Sequence, residues 1–257
     1  MLDILIVEGS VGEALDAAKA RGWQASHETY RDALALHRDE ARFTTIHAYA
    51  PERDAPGIDY SSFDGIVLGG SGVAWSADDE EARPYLNLLE ELFAVGKPVV
   101  GSCWGLQAVA VLLGGSVGIN ERGKEVGVAR DITLTQAGRA HWGFAGLPER
   151  FDQPAIHRDH VTALPSKAVN LAGNNVSEVQ AMSYETDGID FIGYQFHPEF
   201  ELGYIRQLHE ARAPLPGEGI VLADFPDDPS PHVSVPKERT RVLGNWLDQV
   251  EKVKKAG

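Results

Sequence analysis

Short apolar runs alternate with amphipathic helical patterns in the first half of the chain. The runs are rich in Ile and Val, which indicates buried strands, and they cover residues 2–7, 43–49, 65–68 and 97–101. Residues 80–95 and 104–113 carry apolar side chains at helical spacing, and Gly114-Gly115 would end the second helix. Strands that alternate with helices predict a doubly wound α/β fold with a mostly parallel open sheet flanked by helices.

The second half of the chain predicts weaker elements. Shorter strands, some of which could pair antiparallel, are predicted for residues 126–134, 168–172, 178–184 and 189–196. Residues 214–236 contain six of the fourteen prolines, which predicts a long loop over 211–237. Apolar residues at helical spacing predict a C-terminal helix over 238–254. We expect a single domain in 1–257, with its core in about 2–210.

Composition excludes several classes of protein. Lys and Arg total 23 against 38 Asp and Glu, and a net charge of −15 argues against a dedicated nucleic-acid binder. One cysteine cannot form an intrachain disulfide or a zinc site built on several thiolates. No secretory signal or membrane-spanning apolar stretch is present, so we expect a cytoplasmic protein with no membrane partner.

The single cysteine lies in Gly101-Ser-Cys-Trp-Gly105, between a predicted strand and a predicted helix. This is the context of a nucleophile elbow, in which small flanking residues permit a sharp turn. The helix N-terminus would favour the thiolate of Cys103, and the N–H of Trp104 could donate to an oxyanion. A lone cysteine is more often a small buried apolar residue, but this context favours a nucleophile.

A thiolate nucleophile needs a base, and the base needs an orienting group. His197 and Glu199 follow the apolar run 189–196, and residues i and i+2 of an extended chain project to the same face. Pro198 biases His197 toward that geometry. We predict that Glu199 orients His197 beside Cys103. A His-Pro-Glu segment alone could also be an ordinary loop at a strand end.

Two other motifs carry weaker signals. Gly69-Gly-Ser-Gly72 ends another predicted strand, where glycine lets a backbone N–H approach a substrate as a second oxyanion donor. A tight turn is the simpler alternative, and the segment has no Walker lysine. His157 and His160 flank Asp159 without a further ligand cluster, so we predict no metal site, and we expect no cofactor.

Together these motifs resemble the class I glutamine amidotransferase family, and their order and spacing match it. The matching segments are Leu68-Gly-Gly-Ser71, Pro98-Val-Val-Gly-Ser-Cys-Trp-Gly-Leu-Gln107, Leu113-Gly-Gly115 and Gly193-Tyr-Gln-Phe-His-Pro-Glu199. Residues 155–165 look most like the glutaminase domain of GMP synthetases. The resemblance covers about residues 2–210 and implies a flavodoxin-like sheet.

The resemblance also implies three catalytic residues, two oxyanion-hole donors and one substrate-binding residue. These are Cys103, His197 and Glu199; Gly70 and Trp104; and Gln107. Cys103 would attack the γ-carboxamide of glutamine, and His197 would protonate the leaving ammonia. Water would then hydrolyse the γ-glutamyl thioester.

Three functions remain open because 257 residues leave no room for a synthetase domain. The chain could be a glutaminase component that passes ammonia to a separate synthase. It could instead be a stand-alone γ-glutamyl hydrolase or peptidase acting on γ-glutamyl amides or peptides. A non-enzymatic, degenerate glutaminase is disfavoured by the intact Cys103, His197 and Glu199. A homodimer is a possible assembly, and a lid formed by residues 214–236 would suit a substrate larger than glutamine.

Overall fold

The first four strands form one side of a large sheet in a computed structural model that describes residues 1–211 and 219–256. They are β1 (Asp3–Glu8), β2 (Arg42–His47), β3 (Gly65–Leu68) and β4 (Pro98–Ser102). They pair in parallel in the order β4-β3-β1-β2. Residues 4–7 of β1 are completely buried, which requires cover on both faces of the sheet.

Helices supply that cover. The first six helices are α1 (Gly12–Ala20), α2 (Ser26–Ala35), α3 (Arg83–Ala94), α4 (Trp104–Leu112), α5 (Gln136–Ala140) and α6 (Leu202–Ala211), and the last is α9 (Arg241–Ala256). Ile4 and Ile6 share one core cluster with α2 and α9, whereas Leu5 and Val7 share the other with α3 and α4. Alternate residues of one strand therefore serve the two layers. Among the described residues, no helix is long and apolar enough to cross a membrane.

The second half of the chain extends the same sheet with mixed pairing. Its strands are β5 (Ser116–Ile119), β6 (Lys124–Leu134), β7 (Arg150–His157), β8 (Asp159–Ala163), β9 (Val169–Gly173), β10 (Ala181–Thr186), β11 (Ile189–Tyr194) and β12 (Val221–Asp224). The sheet continues as β12-β6-β9-β10-β11-β4, β7 adds to β6, and β5 pairs with β8 separately. β10 is antiparallel to both of its neighbours, whereas β11 is parallel to β4. The predicted fold class, including antiparallel strands in the second half, is confirmed.

The prediction of a continuous loop over 211–237 is wrong for much of that segment. β12 pairs in parallel with β6, and two short helices follow, α7 (Pro231–Ser234) and α8 (Pro236–Arg239). Each helix begins at its proline, where the missing N–H has no intrahelical partner to lose. β12 itself contains no proline. Pro231 and Pro236 therefore begin helices and do not interrupt them.

Three adjacent strands place their carboxyl ends at one edge of the sheet. Leu68 of β3 is in register with Gly101 of β4, and Ser102 of β4 with Tyr194 of β11. The segments that leave these strands therefore begin side by side. This edge is where open α/β sheets bind ligands.

Candidate active site

Cys103 occupies a strained turn between β4 and α4. Its backbone has φ +47° and ψ −102°, a conformation that non-glycine residues rarely adopt. A Cβ on Gly105 would lie 2.7 Å from the carbonyl oxygen of Leu68, so α4 approaches β3 too closely for any side chain at 105. The N–H of Cys103 donates to the carbonyl of Tyr194 at 2.7 Å. The close approach of α4 to β3 therefore explains why the predicted elbow has glycine at position 105.

His197 and Glu199 lie together in the buried segment that follows β11. Nδ1 of His197 donates to Oε1 of Glu199 at 2.7 Å, and both side chains are at most 4% exposed. The Ser102 hydroxyl donates to the same carboxylate oxygen at 2.9 Å. The imidazole stacks on Phe200 with ring centroids 4.4 Å apart. Because Nδ1 is committed to Glu199, Nε2 is the nitrogen left for Cys103.

The charges around His197 hold it in the protonated form. Burial alone would lower its pKa, but the negative charge of Glu199 and the hydrogen bonds with Cys103 and Glu199 outweigh burial and raise the pKa of His197 to about 10. The structure thus brings the three predicted catalytic residues together: His197 is hydrogen-bonded to Glu199, and Cys103 lies beside the imidazole with its Sγ 3.8 Å from the carbonyl oxygen of Ile156. A charged imidazole next to a thiol favours the thiolate as nucleophile.

The two predicted oxyanion donors border this group. A Cβ on Gly70 would lie 2.9 Å from Cε1 of His197, so the backbone of Gly70 passes directly over the imidazole ring. Trp104 is the first residue of α4, where a backbone N–H has no carbonyl to bind within its own helix. The hydroxyl of Ser71 donates to the carbonyl of Gly9 at 2.6 Å and ties down the segment after β3.

Gln107 lines a cavity of about 60 Å³ beside Cys103. Its Nε2 donates to the backbone carbonyl of Asp159 at 2.8 Å and to Oε1 of Gln195 at 3.2 Å. Lys124, Arg158 and Asp159 also line the cavity, and Arg158 pairs with the carboxylate of Asp159 at 2.6 Å. Gln107 therefore contributes to the wall and holds the start of β8 in place.

Two residues of the site were missed by the sequence analysis. Ser102 lies inside the recognised motif, but nothing in the sequence indicates that its hydroxyl reaches Glu199. Arg239 ends α8, is 5% exposed, and donates from Nε to the carbonyl of Pro198 at 3.2 Å. No sequence pattern near position 239 predicts that contact.

The other predictions have mixed outcomes. His157 bonds to Glu125 at 2.9 Å through Nε2, and His160 bonds to Ser177 at 3.2 Å. Within 1–211 and 219–256, no three His, Cys, Asp or Glu side chains form a candidate metal cluster. Residues 219–236 line neither cavity beside Cys103 and His197, which removes support for a lid from that part. Residues 212–218 of the predicted lid lie outside the described residues.

Comparisons of sequence agree with the motifs. The family model described as glutamine amidotransferase class-I matches residues 32–209. The chain is 31% identical over 217 residues to a γ-glutamyl-L-1-hydroxyisopropylamide hydrolase from a Pseudomonas species, covering 80% of this chain and 72% of that protein. It is 34% identical over 139 residues to a glutamine-hydrolysing GMP synthase from Cronobacter sakazakii, covering 52% of this chain and 25% of the synthase.

Comparison of structures agrees with the sheet topology. A glutamine amidotransferase from Thermotoga maritima superimposes with a TM-score of 0.63 at 19% sequence identity, and the match covers 97% of each chain. At this identity the likeness shows the fold alone. The extensive coverage means that the neighbour, too, has elements matching the segments before and after the core motifs.

Proposed function

Because the chain belongs to the class-I glutamine amidotransferase family, we propose that it hydrolyses γ-glutamyl amides through a thioester on Cys103. The observation that carries the proposal is the buried contact of Cys103 with the His197–Glu199 pair at a strained turn. A core cysteine with only a packing role needs neither the strain nor a charged neighbour. Both features serve a nucleophile.

The first half of the reaction transfers the γ-glutamyl group to sulfur. The Cys103 thiolate attacks the γ-carbonyl carbon, and the electron pair moves to oxygen, where the N–H groups of Gly70 and Trp104 stabilise it. Collapse of this intermediate breaks the carbon–nitrogen bond. The imidazolium of His197 gives its Nε2 proton to the departing nitrogen, so that ammonia or a neutral amine leaves.

The second half regenerates the enzyme. Neutral His197 takes a proton from water while the oxygen attacks the thioester carbon. The carbon–sulfur bond then breaks and glutamate leaves, which restores the thiolate and the imidazolium. Glu199 holds Nδ1–H throughout and thereby keeps Nε2 directed at the reacting atoms.

Stand-alone hydrolysis is the form of the activity that we favour. The relative from Pseudomonas is named as a hydrolase of a substituted γ-glutamyl amide, and the match covers most of both proteins. The second candidate is a glutaminase component that supplies ammonia to a separate synthase. It is supported by the similarity to the glutamine-hydrolysing synthase, of which this chain covers one quarter.

The test is turnover by the purified chain without any partner. Glutamine and γ-glutamyl N-alkylamides are supplied, and release of glutamate and of ammonia or amine is measured. Intact-mass spectrometry after acid quenching should find one γ-glutamyl adduct, which must lie on Cys103 because the chain has one cysteine. Activity that requires an added synthase would favour the second candidate.

A matched pair of variants tests the mechanism itself. Cys103→Ser should lose activity by at least about 10³-fold because a serine hydroxyl is not ionised by the neighbouring imidazole. Ser62→Ala changes an exposed serine near the opposite end of β3 and should keep full activity. Full activity in Cys103→Ser would refute the thioester.

A further inference from the structure

A second and larger cavity adjoins the one beside Cys103. Its volume is about 250 Å³, and it is lined by His197 but not by Cys103. The smaller cavity, of about 60 Å³, is lined by Cys103 but not by His197. Ser71 and Ile156 line both. The nucleophile and the acid thus line different cavities that share part of their walls.

In amide cleavage, the two cavities would hold different parts of the substrate. The acyl group must lie on the side of Cys103, which attacks it. The leaving nitrogen must lie on the side of His197, which protonates it. A water-sized leaving group such as ammonia needs only about 10–15 Å³ of such space. The cavity beside His197 is therefore far larger than the ammonia released from glutamine requires.

The wall of the larger cavity has an apolar part beside polar side chains that include Ser10, Arg21 and Gln24. The apolar part includes Leu15 of α1, Trp23 in the connection to α2, and Phe200, Tyr204 and Leu208 in and before α6. Apolar walls of this kind hold a hydrocarbon group by removing it from water. They offer nothing to ammonia.

One hydroxyl of this wall is buried without a hydrogen-bond partner in the described part of the chain. Ser26 is the first residue of α2, is 9% exposed and lines the larger cavity. Its Oγ has no hydrogen-bond partner among the described residues, and the N-cap position of the helix belongs to Ala25. A buried hydroxyl without a partner is unfavourable, and a polar group of a ligand would satisfy it.

We infer that the larger cavity binds the amine portion of an N-substituted γ-glutamyl amide, an inference that rests on the proposed function. Trp23 contacts the hydrocarbon part of the amine, and Ser26 hydrogen-bonds a neutral hydroxyl on it. The wall also carries Arg21, whose Cζ lies 5.0 Å from the ring centroid of Trp23, so an amine that bears a carboxylate is the alternative that the experiment tests.

The experiment compares four substrates with one acyl group. They are glutamine, γ-glutamylethylamide, γ-glutamylethanolamide and γ-glutamylglycine, and kcat/KM is measured for each by glutamate release. We expect the ethanolamide to be cleaved fastest and at least about tenfold faster than glutamine. Glutamine as the best substrate, or γ-glutamylglycine as the best, would overturn the assignment.

Two variants test the residues through the ratio of kcat/KM values. Trp23→Ala should lower the ratio of ethanolamide to glutamine by about tenfold, because the hydrocarbon part loses its contact. Ser26→Ala should lower the ratio of ethanolamide to ethylamide by about 3- to 10-fold, the effect of one hydrogen bond. Neither side chain supports the fold through a hydrogen bond of its own hydroxyl or ring in the described residues, so both variants should fold.

Matched controls lie at the other end of the sheet. Trp142→Ala removes a half-buried tryptophan that contacts Glu185 near the start of β11, and Ser62→Ala removes an exposed hydroxyl. Both controls should keep the wild-type ratios. Unchanged ratios in Trp23→Ala and Ser26→Ala would refute the cavity assignment while leaving the hydrolase intact. Absence of glutamate release from every substrate would instead refute the proposed function.

Discussion

Glu199 accepts hydrogen bonds from both Ser102 and His197 at a single carboxylate oxygen. The serine comes from the end of β4 and the histidine from the segment after β11, so one atom joins the two strands on which the site depends. The contact fixes the imidazole plane as well as its charge. Ser102 is therefore a positioning residue for the reaction proposed above.

The raised pKa of His197 predicts a pH dependence of stability. Its folded value of about 10 lies above the ordinary 6.5, so the stabilising contribution is complete below pH 6.5 and is lost as the pH rises to about 10. Across this window the free energy of unfolding of the wild type should fall relative to that of His197→Gln. The slope should approach about 1.4 kcal/mol per pH unit at its steepest. Denaturant titrations that give a constant difference would contradict this prediction.

Gly70 predicts a loss of activity without a loss of fold. The methyl group of Gly70→Ala would lie 2.9 Å from Cε1 of His197 and must displace the ring or the backbone N–H beside it. We expect kcat to fall by about 10- to 100-fold while the melting temperature changes little. Gly203→Ala is the control, because its added Cβ meets no atom within 4 Å. Equal kcat values for the two variants would argue against the role of Gly70.

Sequence analysis predicted the site residues that occur together in short motifs. Cys103 and its flanking glycines, and His197 with Glu199, occur as short motifs at strand ends. Contacts between segments that are distant in the sequence have no such local motif. Arg239 reaches Pro198 from 41 positions away, and nothing local distinguishes it from other arginines.

Among the elements, α8 connects the C-terminal region to the candidate site through Arg239. Its guanidinium is buried and hydrogen-bonded to the carbonyl between His197 and Glu199. Arg239 also interacts with Glu199 through its positive charge, and from that charge we expect it to disfavour the protonated state of His197. We regard it as a positioning residue whose loss changes both geometry and charge.

Substitution of Arg239 should therefore alter rate and pH profile together. Arg239→Gln should lower kcat by about tenfold, with little change in KM, and should move the alkaline limb of the profile to higher pH. Arg239→Lys should restore the position of that limb. Lys237→Gln alters an exposed cation of the same helix and should match the wild type. A lower kcat with an unmoved alkaline limb would indicate a role in packing alone.

The contact between α4 and β3 predicts a structural effect. A Cβ at position 105 would lie 2.7 Å from the carbonyl oxygen and 2.8 Å from the Cβ of Leu68. Gly105→Ala should lower the free energy of unfolding by about 1–3 kcal/mol, because helix and strand must separate. Gly203→Ala, in an open helical position, should be neutral or slightly stabilising. Denaturant unfolding of the two variants makes the comparison.

Element prediction succeeded where periodicity was strong and failed where proline was taken as a sign of irregular structure. The buried strands and α4 follow from apolar runs bounded by glycine. Pro231 and Pro236 begin α7 and α8 instead of breaking them. The number of prolines in a segment does not show whether a proline begins an element or interrupts it.

At the scale of the whole molecule, one sheet passes through both halves of the described chain. The strands that position Cys103 and His197, β4 and β11, are neighbours in the sheet although residues 103–188 lie between them in the sequence. The last helix completes this arrangement, because Trp246 and Val250 of α9 pack at 2.8–2.9 Å from where a Cβ on Gly65 of β3 would lie. The core face under the site is therefore built from both ends of the sequence.

This closure by α9 has a consequence for biosynthesis. The ribosome synthesises Cys103 well before residues 241–256. Until those residues are added, the face of the sheet that α9 covers lacks this helix. The nascent protein thus carries its reactive sulfur before the acid, the carboxylate and the supporting arginine have been translated. We therefore expect the proposed reaction to require synthesis through α9, which would delay the chemistry of the nucleophile until the rest of the site is present.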